Sequence, residues 1–78
     1  GSRVIFGATV TLVDLDNEGA DPAVYQIVGD VESDLAAGRI SISSPLARGL
    51  IGKEEGDECV IQTPKGRRNV MIDRVEFK

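Results

Sequence analysis

Histidine and tryptophan are absent from this 78-residue chain, which has one cysteine and only three aromatic residues. Without histidine, the chain lacks the commonest protein metal ligand and the usual general base at neutral pH. A single cysteine, Cys59, cannot form an internal disulfide, and its apolar neighbours predict a buried, reduced thiol. No apolar run approaches the roughly 20 residues of a membrane-spanning helix, so no membrane contact is expected.

Acidic residues outnumber basic ones, thirteen to nine, for a net charge of −4. A nucleic-acid backbone would be repelled by this average, so direct contact with nucleic acid is not expected. Lys65, Arg67 and Arg68 form a local basic group. We interpret it as the solvated tip of an edge hairpin, with a nucleic-acid role as the alternative. The length predicts one small domain, and residues 1–2 are interpreted as an expression scar on a piece of a longer protein.

Alternating and β-branched stretches predict five strands. Phe6 is expected on the buried face of the first strand, and a bulge is expected near Asp73 and Arg74 in the last. The predicted strands cover residues 6–15, 24–28, 39–43, 58–63 and 68–77. The segment 29–38 is expected to be irregular.

One short helix is predicted between the third and fourth strands. Ser44 suits an N-cap, Pro45 suits the first helical position, and Gly52 ends the helix. Apolar residues at helical spacing form one stripe that would face the sheet: Leu46, Ala47, Leu50 and Ile51. The expected architecture is α+β, a bent antiparallel sheet with one short helix packed on its concave face.

Four blocks of sequence together resemble the C-terminal domain of the GreA/GreB transcript cleavage factor family. They are VIFGATV (4–10), YQIVG (25–29), SPLARGLIGKEEGD (44–57) and TPKG (63–66), and the third favours the GreA branch. The resemblance implies an FKBP-like fold and a domain over residues 3–78. It also implies a cytoplasmic, monomeric protein without a cofactor that binds bacterial RNA polymerase at the β′ coiled coil on the rim of the secondary channel.

The family's chemistry is not expected in this chain. In the family, two acidic residues at the tip of an N-terminal coiled coil help polymerase to cleave backtracked RNA through a second Mg²⁺. This sequence has no heptad pattern, so the coiled coil is expected to be absent, with no catalytic or metal-binding residue to carry over. Four acidic residues follow the predicted helix: Glu54, Glu55, Asp57 and Glu58. We interpret them as a solvated turn and not as a metal site.

The resemblance assigns partner binding to Ser43, Ser44 and Pro45, with Leu46 and Arg48 as neighbours. The family commonly has Asp or Asn where this chain has Ser43. The fold alone would also suggest an FKBP-like prolyl isomerase. Such enzymes line their pocket with several aromatic residues, whereas this chain has only Phe6, Tyr25 and Phe77, and Phe6 is expected in the core. A docking module of a different secondary-channel regulator is the other alternative.

Overall fold

Five strands and one α-helix follow each other in the computed structural model, which describes residues 3–17, 19–63 and 66–77. The elements are β1 (Thr9–Asp14), β2 (Ala23–Val28), β3 (Arg39–Ser41), α1 (Pro45–Leu50), β4 (Glu58–Thr63) and β5 (Gly66–Glu76). Two single-turn 3₁₀ helices, Asp30–Glu32 and Leu35–Ala37, lie between β2 and β3. The proposed scar at residues 1–2, Glu18 of the first loop, and Pro64 and Lys65 of the last turn lie outside the described residues.

The strands form one curled sheet in the order β3-β2-β1-β5-β4. Its α+β class and single packed helix are confirmed, but the sheet is mixed, because β2 and β3 run parallel. The expectation of a wholly antiparallel sheet was therefore wrong at this one pairing. The physical reason is that residues 29–38 cross over instead of reversing, with both 3₁₀ helices within the crossover. Roughly a dozen residues are usual for such a connection, so this one is short.

Gly38 makes the short crossover possible. It ends the second 3₁₀ helix in the left-handed region, with φ of 80°. A Cβ at this position would lie 3.0 Å from the carbonyl oxygen of Val24, a very tight contact, and the positive φ would strain any other residue. Gly38 therefore starts β3 alongside β2, where the Gln26 N–H donates to the Gly38 carbonyl at 2.7 Å.

The predicted bulge in the last strand is confirmed. Thr11 of β1 pairs with Arg74 of β5, but the next residue, Leu12, pairs with Ile72. Asp73 is therefore the extra residue on β5, and it bends the strand at this point.

The core lies on the concave face of the sheet, under α1. Leu50 is fully buried, and Leu46 and Ala47 join it from the same helix. Gly49 allows α1 to approach β4 closely, since a Cβ there would lie 3.3 Å from the Val60 carbonyl oxygen. The sheet and the N-terminal segment supply the remaining core: Val4, Ala8, Val10, Leu12, Ile27, Ile40, Ile61, Val70, Ile72 and Val75.

Phe6 is half exposed, at 55%, and not buried as the alternation predicted. The strand β1 begins only at Thr9, and the Ala8 N–H donates to the Ile5 carbonyl at 3.0 Å in a turn. The alternation therefore does not extend back to Phe6. Val4 occupies the buried position instead and pairs with the chain after α1, where its N–H donates to the Lys53 carbonyl at 2.7 Å.

Cys59 is half-buried and packs against the edge of the core, so it is less enclosed than predicted. Burial raises the pKa of the Cys59 thiol above its usual value, and this outweighs the nearby positive charge of Lys53. The thiol is therefore less reactive than a free cysteine at neutral pH. Within the described ranges, no helix has the length and apolar character needed to cross a bilayer.

Candidate docking site at a strand-to-helix junction

The junction between β3 and α1 is shaped by Ser44. Its N–H donates to the Ser41 carbonyl at 3.0 Å, and its hydroxyl donates to the same carbonyl at 2.7 Å. The Ala47 N–H donates back to the Ser44 hydroxyl at 3.2 Å, which confirms Ser44 as the N-cap of α1. Pro45 follows at the first helical position with no N–H to satisfy. The chain therefore leaves the sheet in one defined conformation.

The outer side of the junction is held by Asp30, from the first 3₁₀ helix. The Ser43 hydroxyl donates to Asp30 Oδ1 at 2.8 Å, and the Ser41 hydroxyl donates to the same oxygen. The two hydroxyl oxygens lie 2.9 Å apart, and the Ser43 N–H donates to the Ser41 hydroxyl at 3.2 Å. These bonds to Ser41 and then Ser43 hold the pKa of Asp30 below its usual value, because they favour the ionised carboxylate.

The parallel pairing of β2 and β3 brings Asp30 to this place. Val28 lies opposite Ser41 in the register. Because the two strands are parallel, they leave the sheet at the same end. Two residues beyond the Val28–Ser41 pair, Asp30 and Ser43 therefore lie side by side. An antiparallel pair would have sent them to opposite ends of the sheet.

A groove of about 390 Å³ opens beside the junction, between the two edge strands of the curled sheet. Ser44, Pro45 and Leu46 form the end of it that belongs to the junction. The other lining residues are Ser33, Leu35, Arg39, Ile40, Ser41, Gln62 and Thr63. The groove offers apolar surface next to a rigid, polar turn.

The five predicted partner-binding residues differ in exposure. Ser43, Pro45 and Arg48 are exposed, Ser44 is half-buried as the cap, and Leu46 lies in the core at 5% exposure. Leu46 therefore anchors the first turn of α1 and reaches the groove only with its outer edge.

Two members of this cluster, Asp30 and Ser41, were not predicted from the sequence. Ser41 and Ser43 stand two apart at the end of a strand, a spacing that puts both side chains on one face. That signal was available, but the carboxylate they share comes from a segment read as irregular. Only the parallel pairing of β2 and β3 brings this carboxylate to the two serines.

The acidic turn after α1 uses its carboxylates internally. Glu55 Oε2 accepts the Val75 N–H at 2.8 Å, next to the bulge in β5. Asp57 Oδ2 accepts the Glu54 N–H at 2.9 Å and closes the turn. In the part of the chain that the structure describes, no group of three or more acidic or cysteine side chains could hold a metal ion.

The basic group at the last hairpin remains at the surface. Arg67 and Arg68 are exposed and pair across β4 with Gln62 and Ile61, as expected for a hairpin tip. Lys65 lies outside the described residues.

The family model described as "Transcription elongation factor, GreA/GreB, C-term" matches residues 1–77. The chain belongs to the GreA/GreB family. Transcription elongation factor GreA of Vibrio parahaemolyticus serotype O3:K6 is 63% identical over 75 residues, 96% of this chain and 46% of the relative. GreA of Xylella fastidiosa strain 9a5c is 53% identical over 77 residues, 99% of this chain and 48% of the relative. The Gre domain thus spans about half the length of these relatives.

Solved Gre-family structures share the fold. The GreA factor homolog 1 (Gfh1) protein of Thermus thermophilus matches with a TM-score of 0.86 at 27% identity, over 97% of this chain and 49% of that one. The prokaryotic transcription elongation factor GreA/GreB from Nitrosomonas europaea matches with a TM-score of 0.79 at 26% identity, over 97% and 62%. The curled five-stranded sheet with one short helix is therefore the fold of this family's C-terminal domain.

Proposed function

We propose that this Gre domain docks on bacterial RNA polymerase through the junction between β3 and α1. Ser43, Ser44 and Pro45 form the centre of the docking surface, and Leu46 and Arg48 flank it. The observation that carries the proposal is an exposed turn held by hydrogen bonds on both sides and by a proline. Ser44 caps the helix, and Asp30 binds Ser43. Pro45 is exposed and lines the end of the groove.

Rigidity of this kind favours association. Proline fixes its own φ and restricts the residue before it, so Pro45 and Ser44 hold one shape before any partner arrives. The hydrogen bonds from Ser41 and Ser43 to Asp30 hold the other side of the turn. A partner therefore loses little free energy in ordering this surface. A single domain offers limited area, so the isolated chain should bind weakly.

The proposed partner surface is the β′ coiled coil at the rim of the secondary channel. The domain would hold a transcription elongation factor there while polymerase itself cleaves the transcript of a backtracked, arrested complex. Family membership and the GreA relatives support this role. The same junction would serve equally as the docking module of a different secondary-channel regulator, and the remainder of the protein would decide which activity follows.

A prolyl-isomerase function has less support. A second cavity of about 350 Å³ opens on the concave face, and Tyr25 is its only aromatic lining residue among those described. Phe6 and Phe77 are half exposed and do not line it. A proline ring would therefore lack the aromatic enclosure that such enzymes provide.

Competition with a labelled full-length GreA for polymerase tests the docking proposal. The parent chain at high concentration should displace the labelled protein. Pro45→Ala should weaken displacement because the turn loses its fixed φ, and Ser43→Arg should weaken it because a bulky cation replaces a small hydroxyl. Circular dichroism and melting should change little, since both positions are exposed.

Two matched controls lie in the loop between β1 and β2, away from the junction. Pro22→Ala removes another exposed proline, and Ala20→Arg adds the same charge at another exposed position. Both should compete like the parent. If Pro45→Ala and Ser43→Arg fold and also compete like the parent, the junction is only a helix cap and the docking surface lies elsewhere.

A further inference from the structure

Among the described residues, hydrogen bonds reach only one of the two carboxylate oxygens of Asp30. Both serine hydroxyls donate to Oδ1. No residue in the described ranges donates a hydrogen bond to Oδ2, and Asp30 is exposed. A carboxylate has about four acceptor sites, so this group retains accepting capacity at the surface of the junction.

The charge of Asp30 is also not neutralised by a basic side chain in the part of the chain that the structure describes. Arg39 is the basic residue on the neighbouring strand, and its guanidinium pairs with Asp34 at 3.6 Å. Arg39 Nε donates to the Glu32 carbonyl at 3.3 Å. The pair of Arg39 with Asp34 is the one ion pair among residues 3–17, 19–63 and 66–77, so no described basic side chain is paired with Asp30.

We propose that Asp30 belongs to the docking surface, where it presents its carboxylate to a cationic side chain of the partner. The inference rests on the proposed docking function and deepens it, because it names the chemistry of the contact. The partner surface should carry an arginine or lysine that reaches the junction beside Ser43 and Pro45. The domain should bind more weakly to a surface that lacks a cation at this place.

The geometry suits such a contact. The two serine hydroxyls hold Oδ1 in place, so the orientation of the carboxylate is set before binding. The same bonds favour the ionised form, and the lowered pKa keeps the carboxylate charged at neutral pH. A charged acceptor at the rim of an interface contributes mainly to the association rate and to the choice of partner, and salt weakens it.

The test compares Asp30→Asn with Glu32→Gln in the competition against labelled full-length GreA. Asp30→Asn keeps an acceptor for both serines and removes only the charge. Glu32→Gln makes the same change in net charge two residues away, at an exposed side chain with no hydrogen bond among the described residues. Asp30→Asn should compete about fivefold less well at low salt, and Glu32→Gln should match the parent.

Ionic strength supplies a second measurement that needs no variant. The dissociation constant of the labelled parent for polymerase, measured directly because salt would also weaken the GreA competitor, should rise between about 50 and 300 mM salt. That dependence should be shallower for Asp30→Asn. The inference is overturned if Asp30→Asn competes like the parent, if both variants lose equally, or if the parent shows no salt dependence. Failure of the parent itself to displace GreA would instead overturn the docking proposal, so the two outcomes are distinguishable.

Discussion

Two turns flank the helix α1, and they use acidic side chains in opposite ways. The turn after the helix is rich in acids, yet Glu55 and Asp57 accept backbone N–H groups of the domain itself. The junction before the helix has no acid of its own. Its serines bind instead to the carboxylate of Asp30, which lies 13 residues upstream of Ser43.

The difference shows that the number of charges in a segment says little about its function. What counts is whether donors within the domain already occupy the acceptors. At the acidic turn, the Glu55 carboxylate takes the place of a strand partner for Val75, because β4 pairs with β5 only as far as Met71. The Asp57 carboxylate closes the turn itself. At the junction, hydroxyl groups orient one carboxylate and leave part of it free. The first arrangement stabilises the fold, and the second is suited to a partner.

The largest expected effect comes from Glu55→Ala. This change removes the acceptor of the Val75 N–H at a buried position of β5. A hydrogen bond to a charged acceptor is worth about 1.5–3 kcal/mol. We expect the free energy of unfolding in urea to fall by about 2 kcal/mol, while competition for polymerase, measured under folding conditions, stays close to that of the parent.

Glu54→Ala is the matched control, since Glu54 takes part in the described hydrogen bonds with its backbone N–H and carbonyl and not with its side chain. It should change the unfolding free energy by less than about 0.5 kcal/mol. Equal effects of the two substitutions would show that the turn is merely solvated and that the contrast between the two turns is wrong.

A smaller effect is expected from Ser44→Ala. The substitution removes the cap of the Ala47 N–H and the hydroxyl bond to the Ser41 carbonyl. Loss of such a cap typically costs about 1 kcal/mol, which chemical denaturation would detect. Ser43→Ala is the matched control on the same junction, and it should leave the unfolding free energy within about 0.5 kcal/mol because Ser43 is exposed. A larger loss at Ser43 than at Ser44 would reverse the assignment of cap and surface.

Local rules were enough to predict the helix and its cap. Ser44, Pro45 and Gly52 are residue types suited to the start and the end of a helix, and the apolar spacing of α1 selects the face that packs on the sheet. Ile51 is the exception, because it lies after the last helical residue and is 37% exposed. The bulge at Asp73 was predictable for the same reason, since the alternation changes face within one strand. These features depend on residues that are close in sequence.

Asp30 and Phe6 show where local rules end. The role of Asp30 depends on the parallel direction of β3, which is set by a ten-residue crossover and by Gly38, and no periodicity in residues 29–38 signals it. The sequence does alternate through Phe6. The backbone at Phe6 lies outside β1, however, because Val4 pairs with the chain after α1. Both outcomes are decided by contacts between distant parts of the chain.

The smallest expected effect is the acid dependence contributed by Asp30. The Ser41 and Ser43 hydroxyls lower the pKa of Asp30 in the folded chain. A lowered folded pKa contributes stability that is present above the unfolded pKa and is lost as pH falls through the folded pKa.

An NMR titration of the Asp30 carboxyl should therefore give a pKa below the usual range. In a Ser41→Ala/Ser43→Ala double variant, the value should return towards the ordinary one, because both donors are gone. If Asp30 titrates normally in the parent, or if the double variant leaves its pKa unchanged, the serines do not hold this carboxylate and the junction loses its contrast with the acidic turn.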